Sequence, residues 1–448
     1  MENEVLFAGA ACVDITPERL PVICNGEFVS RLIDVVEDPL SVSAIVFKRG
    51  EVEFAMAVVD TCMIPDWIHD KARELVAQKT GLRTDRVLIS ATHCHSAPSL
   101  IGILGSDPDV DYAATIPEKI AAAIATAKSH LVPAKIGFGA GADPNNVYCR
   151  RFIMQPGTAW TVDQALTGSR GDIAQMNPFD NHDKIVCRTG QPDPTVSVLS
   201  VVTEDGRPLA VFGNYSTHYA GAEFLRADYF GVFRKRMKEL IGADDDFVAI
   251  MSNGTSGDTN CIDFLHLDRK YDRFTVGESV SQAAFGAWKA IEYNASPLID
   301  MMERPIELGI RQPTAEQLNH AREVCKSFEG RLPETFAEVY ARECLYLADM
   351  PSRRSVRLQA IRLGELGIAA IPAEVYTFTG RELRAASAFE NTFTISLANG
   401  SNGYLPTEES FELGGYTTWR ARTSCLEETA ERKIRNTMIK MLDQLACK

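Results

Sequence analysis

The chain has 448 residues, 24% of them charged and 45% hydrophobic, with a formal net charge of −14. That length can bury a large core, and the acidic balance argues against a nucleic-acid or anionic-membrane surface, where approach would begin with repulsion. No stretch reaches the ~18 uninterrupted apolar residues of a membrane span.

The first twenty residues, MENEVLFAGAACVDITPERL, lack the basic and apolar regions of a secretory signal. The eleven cysteines are scattered without a CxxC pair, and read as reduced thiols of a cytoplasmic protein. Residues 43–50 and 51–60 read as two strands joined at Arg49-Gly50-Glu51. A helix follows from Pro65 to a stop at Gly81. Residues 86–90, RVLIS, form a short buried strand with His93 and His95 just past it. An Ala-rich helix over 115–131 closes at Pro133.

Residues 154–184 carry little pattern, and loops that long are usually functional. Residues 195–216 alternate as a hairpin around Asp205-Gly206. An amphipathic helix at 227–242 and a strand at 246–254 come next, the strand entering SNGTSGDTN. A charged helical hairpin spans about 314–350, broken at GRLPE, and strands return over 356–374. No linker, internal repeat or domain boundary stands out. The reading is a single α/β domain, 1–448, with long site-forming loops.

Only eight histidines occur, two of them in THCHS, residues 92–96. On an extended backbone, positions i and i+2 share a side, so His93 and His95 face one spot. They suit a metal, or one ligand and one catalytic neighbour, or a polar loop satisfied by carbonyls. Cys94 as a nucleophile is the weaker alternative, because adjacent side chains point apart. His218 also follows an apolar strand, where α/β folds place their ligands. Three strand-end histidines favour a metal, and zinc suits imidazole with one position left for water. Glu374, after IAAIPA, is a candidate fourth ligand or a helix N-terminal glutamate. Tyr404 and Tyr416 lie in a Gly/Asn-rich loop as lids, ligands or oxyanion donors. GxxxxGK[ST] and GxSxG are both absent.

Six motifs then occur in order: GAACVDITP, LISATHCHSAP, NYSTHYAG with RADYFG, NGTSGDTN, IPAEVYTFTG and NGYLPTEESFELGGY. Together, over about residues 6–420, they resemble the catalytic domain of neutral/alkaline (non-lysosomal) ceramidases. The resemblance implies layered mixed β-sheets flanked by helices and one zinc ion per chain. It implies His93, His218, Glu374 and Tyr404 as zinc ligands, with His95 beside the metal as a proton-transfer group. It implies Tyr416 and either Arg150 or Arg151 of YCRRF as stabilisers of the tetrahedral oxyanion.

Two departures stand out. The family's serine after Gly-Asp is replaced here by Thr259 and Asn260, which favours metal-activated water over a serine nucleophile. The chain also stops soon after the last motif, so no C-terminal immunoglobulin-like domain is expected. With no exposed amphipathic membrane helix, the expected substrate is a small or polar amide. A ceramide-type lipid amide and an ester are alternatives, and a homo-oligomer is compatible with the sequence. A TIM-barrel amidohydrolase fits less well, because a hairpin and a helix precede HxH. A non-catalytic metal- or ligand-binding protein is the reading of another class.

Overall fold

A strand–strand–strand–helix–strand–helix unit occurs twice in succession along the chain, and the two copies share one sheet. The computed structural model describes residues 4–448. The first copy comprises strands Leu6–Asp14, Ser41–Arg49 and Val52–Val59, helix Asp66–Thr80, strand Val87–Ala91 and helix Val110–Ser129. The second comprises strands Val132–Ala142, Thr195–Thr203 and Pro208–Tyr215, helix Asp228–Ile241, strand Val248–Asn253 and helix Arg273–Trp288. The first strands of the copies pair antiparallel at the centre of an eight-stranded sheet. Each copy ends outward in a parallel pair, so the sheet is mixed.

Successive residues of these strands face opposite layers. Ala44 and Val46 pack under the helices, whereas Ile45 and Phe47 pack against a second sheet. That sheet is four-stranded, made from Ile299–Gly309, Arg353–Leu363, Leu366–Ala370 and Asn391–Ile395. The C-terminal helix Ala430–Ala446 covers its far face through Ile434, Met438 and Leu442. The layers therefore run helix, sheet, sheet, helix, as the expected fold class requires. Among the described residues no helix is long and apolar enough to cross a membrane.

The first helix carries Asp66 in its first turn and stops at Gly81, whose φ of 75° lets its N–H reach the Ala77 carbonyl. The expected hairpins at 43–60 and 195–216 are present. So is the helical pair at 314–350, as Ala315–Lys326 and Phe336–Asp349, each opened by a capping box. Two expectations need correction. The Ala-rich helix starts earlier, where Asp109 accepts from the Tyr112 N–H, and it ends at Ser129, so Pro133 belongs to a strand. Residues 154–184 contain the strand Ala174–Met176, which joins Arg151–Met154 and Ile185–Arg188, flanking the segment, in a three-stranded sheet.

The duplication leaves no repeat in the sequence beyond small residues at one kind of crossing. In each copy the first strand passes close under the last helix. A Cβ on Gly9 would sit 2.2 Å from the Ala127 carbonyl oxygen, and one on Gly141 would sit 2.4 Å from that of Ala283. Backbone cannot yield as a flexible side chain can. Gly9→Ala and Gly141→Ala should each cost about 1–3 kcal/mol, read as a lower urea midpoint at unchanged slope.

Candidate metal centre

Strand Val87–Ala91 lies at one outer edge of the large sheet, and Val248–Asn253 at the other. Segment 396–399, leaving the second sheet, joins them. Ser396 N–H donates to the Asn253 carbonyl (3.0 Å), Ala91 N–H to Leu397 (3.2 Å) and Asn399 N–H to Ile89 (2.8 Å). The loops at the carboxyl ends of the parallel strands are thereby brought over one point. They carry Cys62, His93 and His95 from one copy and His218 and Ser256 from the other.

His93 leaves the extended conformation at once, with φ of 67°, and its N–H donates to the Thr61 carbonyl at 2.9 Å. The i, i+2 argument from an extended chain therefore fails in its geometry, although the rings do meet. Nε2 of His93 and Nε2 of His95 are 3.3 Å apart. Nε2 of His218 is 3.0 Å from Nε2 of His93, and Glu374 Oε2 is 3.3 Å from it. Glu374 opens a two-residue strand paired in parallel with Tyr404–Leu405, and its register partner is Tyr404. The four residues expected as metal ligands thus come together at one place.

The protonation pattern tests whether a cation fits. His93 Nδ1 lies 2.9 Å from the Cys62 carbonyl, and His218 Nδ1 lies 3.1 Å from that of Ser256. A carbonyl only accepts, so each Nδ1 carries a proton and Nε2 is the ring nitrogen left to meet a cation. Burial, then Arg150, holds the His218 ring well below the usual histidine range. Glu374 Oε2 is buried without a hydrogen-bond partner. The two Nε2 atoms and the Glu374 carboxylate oxygen converge on one point. Two nitrogens bound at ~2.0–2.1 Å in a tetrahedral array stand ~3.3 Å apart, close to the spacings here. Backbone carbonyls holding the outer ring nitrogens are the usual support for metal-binding imidazoles. The donor set suits a divalent cation. A second group, Cys62, His93 and His95, also lies within ligand spacing, but the His93 nitrogen nearest Cys62 is the one engaged by a carbonyl.

His95 is held as a plate. Tyr219 stacks on one face at 3.8 Å between centroids and 18°. Gly26 lies on the other, where an added Cβ would fall 2.5 Å from the ring. Burial, followed by nearby His93, outweighs the Glu27 carboxylate and brings the His95 ring down to about 4. Glu27 stands 3.9 Å from His95 Nδ1 and accepts from the Tyr219 hydroxyl at 2.9 Å. Burial raises the Glu27 carboxyl, but His95, Tyr219 and Arg31 together bring it to about 2.

The two arginines of YCRRF part company, as neighbours along extended chain should. Arg150 donates to the Gly257 carbonyl (3.0 Å) and the Tyr404 hydroxyl (3.3 Å), facing the cluster. Arg151 donates to the carbonyls of Ser410 and Gly414, away from it, so of the two alternatives Arg150 is the one that faces the cluster. Tyr416 accepts from the Asn177 amide at 3.4 Å, its ring 5.8 Å from that of Tyr404. Burial raises both phenols, Tyr404 well above the usual range. Cys94 is fully buried among apolar side chains, its thiol pushed up by that burial. Thr259 Oγ1 donates to the Ser216 carbonyl at 2.6 Å, so its proton is directed at a carbonyl and not at a base.

The cluster floors a cavity of about 70 Å³. Glu27, Arg150, Asn177 and Tyr219 line both this cavity and an outer cleft of about 550 Å³. The cleft's other walls include Arg226, Arg273, Glu223 and Asp272. Sequence reasoning missed Glu27, Asn177 and Tyr219. Only Tyr219 had a signal, as the neighbour of His218.

No family model matches the chain, and no curated protein matches it. Solved structures do. The neutral ceramidase from Pseudomonas aeruginosa is similar with a TM-score of 0.71 and 16% identity, over 99% of this chain and 75% of that one. A ceramidase complexed with C2 is similar with a TM-score of 0.72 and 15% identity, over the same 99% and 75%. The chain therefore has the neutral ceramidase fold.

Zinc added to metal-free protein at ~100 times its dissociation constant should stabilise the fold by about 2.7 kcal/mol, read as a raised urea midpoint. His218→Ala should abolish that gain. An equal gain in His218→Ala would place the ion elsewhere. Iodoacetamide should leave Cys94 unlabelled in the folded protein, as mass spectrometry of its peptide would report.

Proposed function

We propose that the chain is a zinc-dependent hydrolase that cleaves the amide bond of a small, polar substrate. The observation carrying this reading is the convergence of the His93 and His218 Nε2 atoms with a Glu374 carboxylate oxygen that lacks a hydrogen-bond partner, at the floor of a cavity that Arg150 and Tyr416 also face. Imidazole and carboxylate donors suit zinc, and Tyr404, beside Glu374 in register, would be the fourth ligand. Bound there, the metal supplies Lewis acidity and lowers the pKa of water towards ~7.

The chain's own groups divide the remaining work. Attack on an amide builds negative charge on the carbonyl oxygen, and the Arg150 guanidinium and the Tyr416 hydroxyl are the donors available to meet it. Arg150 is held to its charged form by Tyr416, Tyr404 and Glu374, against the effect of burial. His95, neutral at pH 7 and fixed between Gly26 and Tyr219, takes the proton of the attacking water and passes it to the leaving nitrogen. Expulsion of an amide anion without that proton would be prohibitive. The ceramidases that share the fold make an amide the favoured bond. A long acyl chain finds little space in the inner cavity itself, which offers about 70 Å³ where ligand pockets run to roughly 300–1,000 Å³.

His93→Ala should lose zinc and activity together. His95→Ala should bind zinc normally while kcat falls ~10²–10⁴-fold, and Arg150→Met should lower kcat ~10²–10³-fold. Zinc content by atomic emission, beside turnover of N-acyl amines, separates these cases. Zinc loss in His95→Ala would remove the division of roles between the two histidines.

A further inference from the structure

The inner cavity has two unlike sides. One side, at Glu27, Arg150, Asn177 and Tyr219, opens into the polar cleft. The other side is walled by Phe28, Met63, Ile103, Leu104 and Tyr340. His95 stacks on Tyr219 and stands 3.9 Å from Glu27, two of the residues shared with the cleft. A leaving amine protonated by His95 therefore departs into the polar cleft, and the acyl group points at the apolar wall.

That wall is tied in place. Helix Phe336–Asp349 supplies Tyr340, which is 1% exposed. One turn on, the buried Glu343 accepts from the Leu104 N–H at 2.8 Å and holds Arg422 through its N–H, Nε and Nη2. Arg342 donates Nε to the Leu104 carbonyl (3.2 Å) and pairs with Asp107 (3.1 Å). Leu104 itself is held at φ of 51°, where a leucine stays only if its surroundings impose it. Behind Tyr340, Trp419 packs edge-on at 5.3 Å, and Phe28 packs against Phe336 at 4.7 Å. A wall anchored through both backbone groups of Leu104 and backed by aromatic rings does not recede for a longer chain.

We propose that the closed end of this cavity is an acyl pocket that accepts an acetyl-sized group and stops an octanoyl chain, with Tyr340 as the residue that sets the length. The substrate class is then a short-chain N-acyl derivative of a larger, polar amine. This rests on the amidase reading above. A pocket that refuses a methylene discriminates by ~10–200-fold.

Two measurements on the zinc-loaded full chain test it. The first is kcat/KM for the acetyl, butanoyl and octanoyl p-nitroanilides. The second is calorimetric binding of acetate, butanoate and octanoate, which reads the pocket without turnover. Wild type should prefer acetyl over octanoyl by at least ~10-fold in both series. Tyr340→Ala should raise octanoyl cleavage and octanoate binding ~10-fold or more relative to acetyl. Tyr340→Leu and Leu104→Gly, the latter suited to the positive φ, serve should the alanine variant not fold. Octanoate binding as tightly as acetate in wild type, or a chain-length profile untouched by all three variants, would overturn the proposal. Length-selective carboxylate binding with no cleavage of any anilide would sustain the pocket and remove the amidase reading.

Discussion

The site depends on one constraint, the joining of the two outer edges of the large sheet by segment 396–399. His93 follows one edge strand and His218 the strand next to the other edge, 125 positions further along the chain. The group of His93, His218 and Glu374 draws one imidazole from each copy of the duplicated unit. The backbone bonds from Ser396, from Ala91 to Leu397, and from Asn399 bring the edges to one place. Each such bond contributes only about 0.5–1.5 kcal/mol net. Their force comes from the layer behind them, where Ile361, Ile368, Phe393 and Ile395 of the second sheet pack on Ile45, Phe47, Phe212 and Ile250 of the first. Burial of that interface fixes the segment, and the segment fixes the distance between the histidines.

The duplicated unit also explains why the ligands are unequal. Val59 pairs with Ala91 in one parallel pair, and Tyr215 with Asn253 in the other. Three residues beyond Val59 is Cys62, and three beyond Tyr215 is His218. The two copies thus place a thiol and an imidazole at equivalent points, on opposite sides of His93. Only the imidazole directs a lone pair to the common point. Cys62 instead gives its carbonyl to His93 Nδ1 and so sets the tautomer. One copy supplies a donor where the other supplies the support that aims a donor.

Much of this was legible in the residues. His93, His95, His218 and Glu374 each follow an apolar run, so their placement at strand ends could be read from hydrophobic pattern alone. The choice between Arg150 and Arg151 could not, because it turns on which side of a short strand faces the cluster. Glu27, Asn177 and Tyr340 lie in segments whose pattern reports local structure and nothing of what packs across from them. The duplication was invisible for a related reason. What the two copies share is a path and two close crossings, and a crossing demands only that Gly9 and Gly141 be small. The HxH spacing pointed to the right pair through a geometry that the chain does not adopt, since His93 abandons extended backbone where the argument assumed it.

That departure belongs to a wider pattern. Non-glycine residues with positive φ are His93, Leu104, Asn177, Asp228, Leu397 and Asn399 among the described residues. His93 aims an imidazole, Leu104 and Asn177 line the inner cavity, and Leu397 and Asn399 lie in the bridging segment. Asp228 takes the Ala220 N–H at 2.8 Å and so shapes the loop carrying His218 and Tyr219. Left-handed backbone costs ~1–2 kcal/mol for an ordinary side chain, less for Asn or Asp, and persists only where the surroundings over-determine it. Here those surroundings are the two packed layers and the Glu343–Arg422 anchor. Strain is therefore concentrated where loops must turn inward over the cluster, while the sheets that hold them remain regular. A site assembled from two sheet edges needs that arrangement, because the strands end pointing past the common point and only abrupt turns bring their side chains back to it.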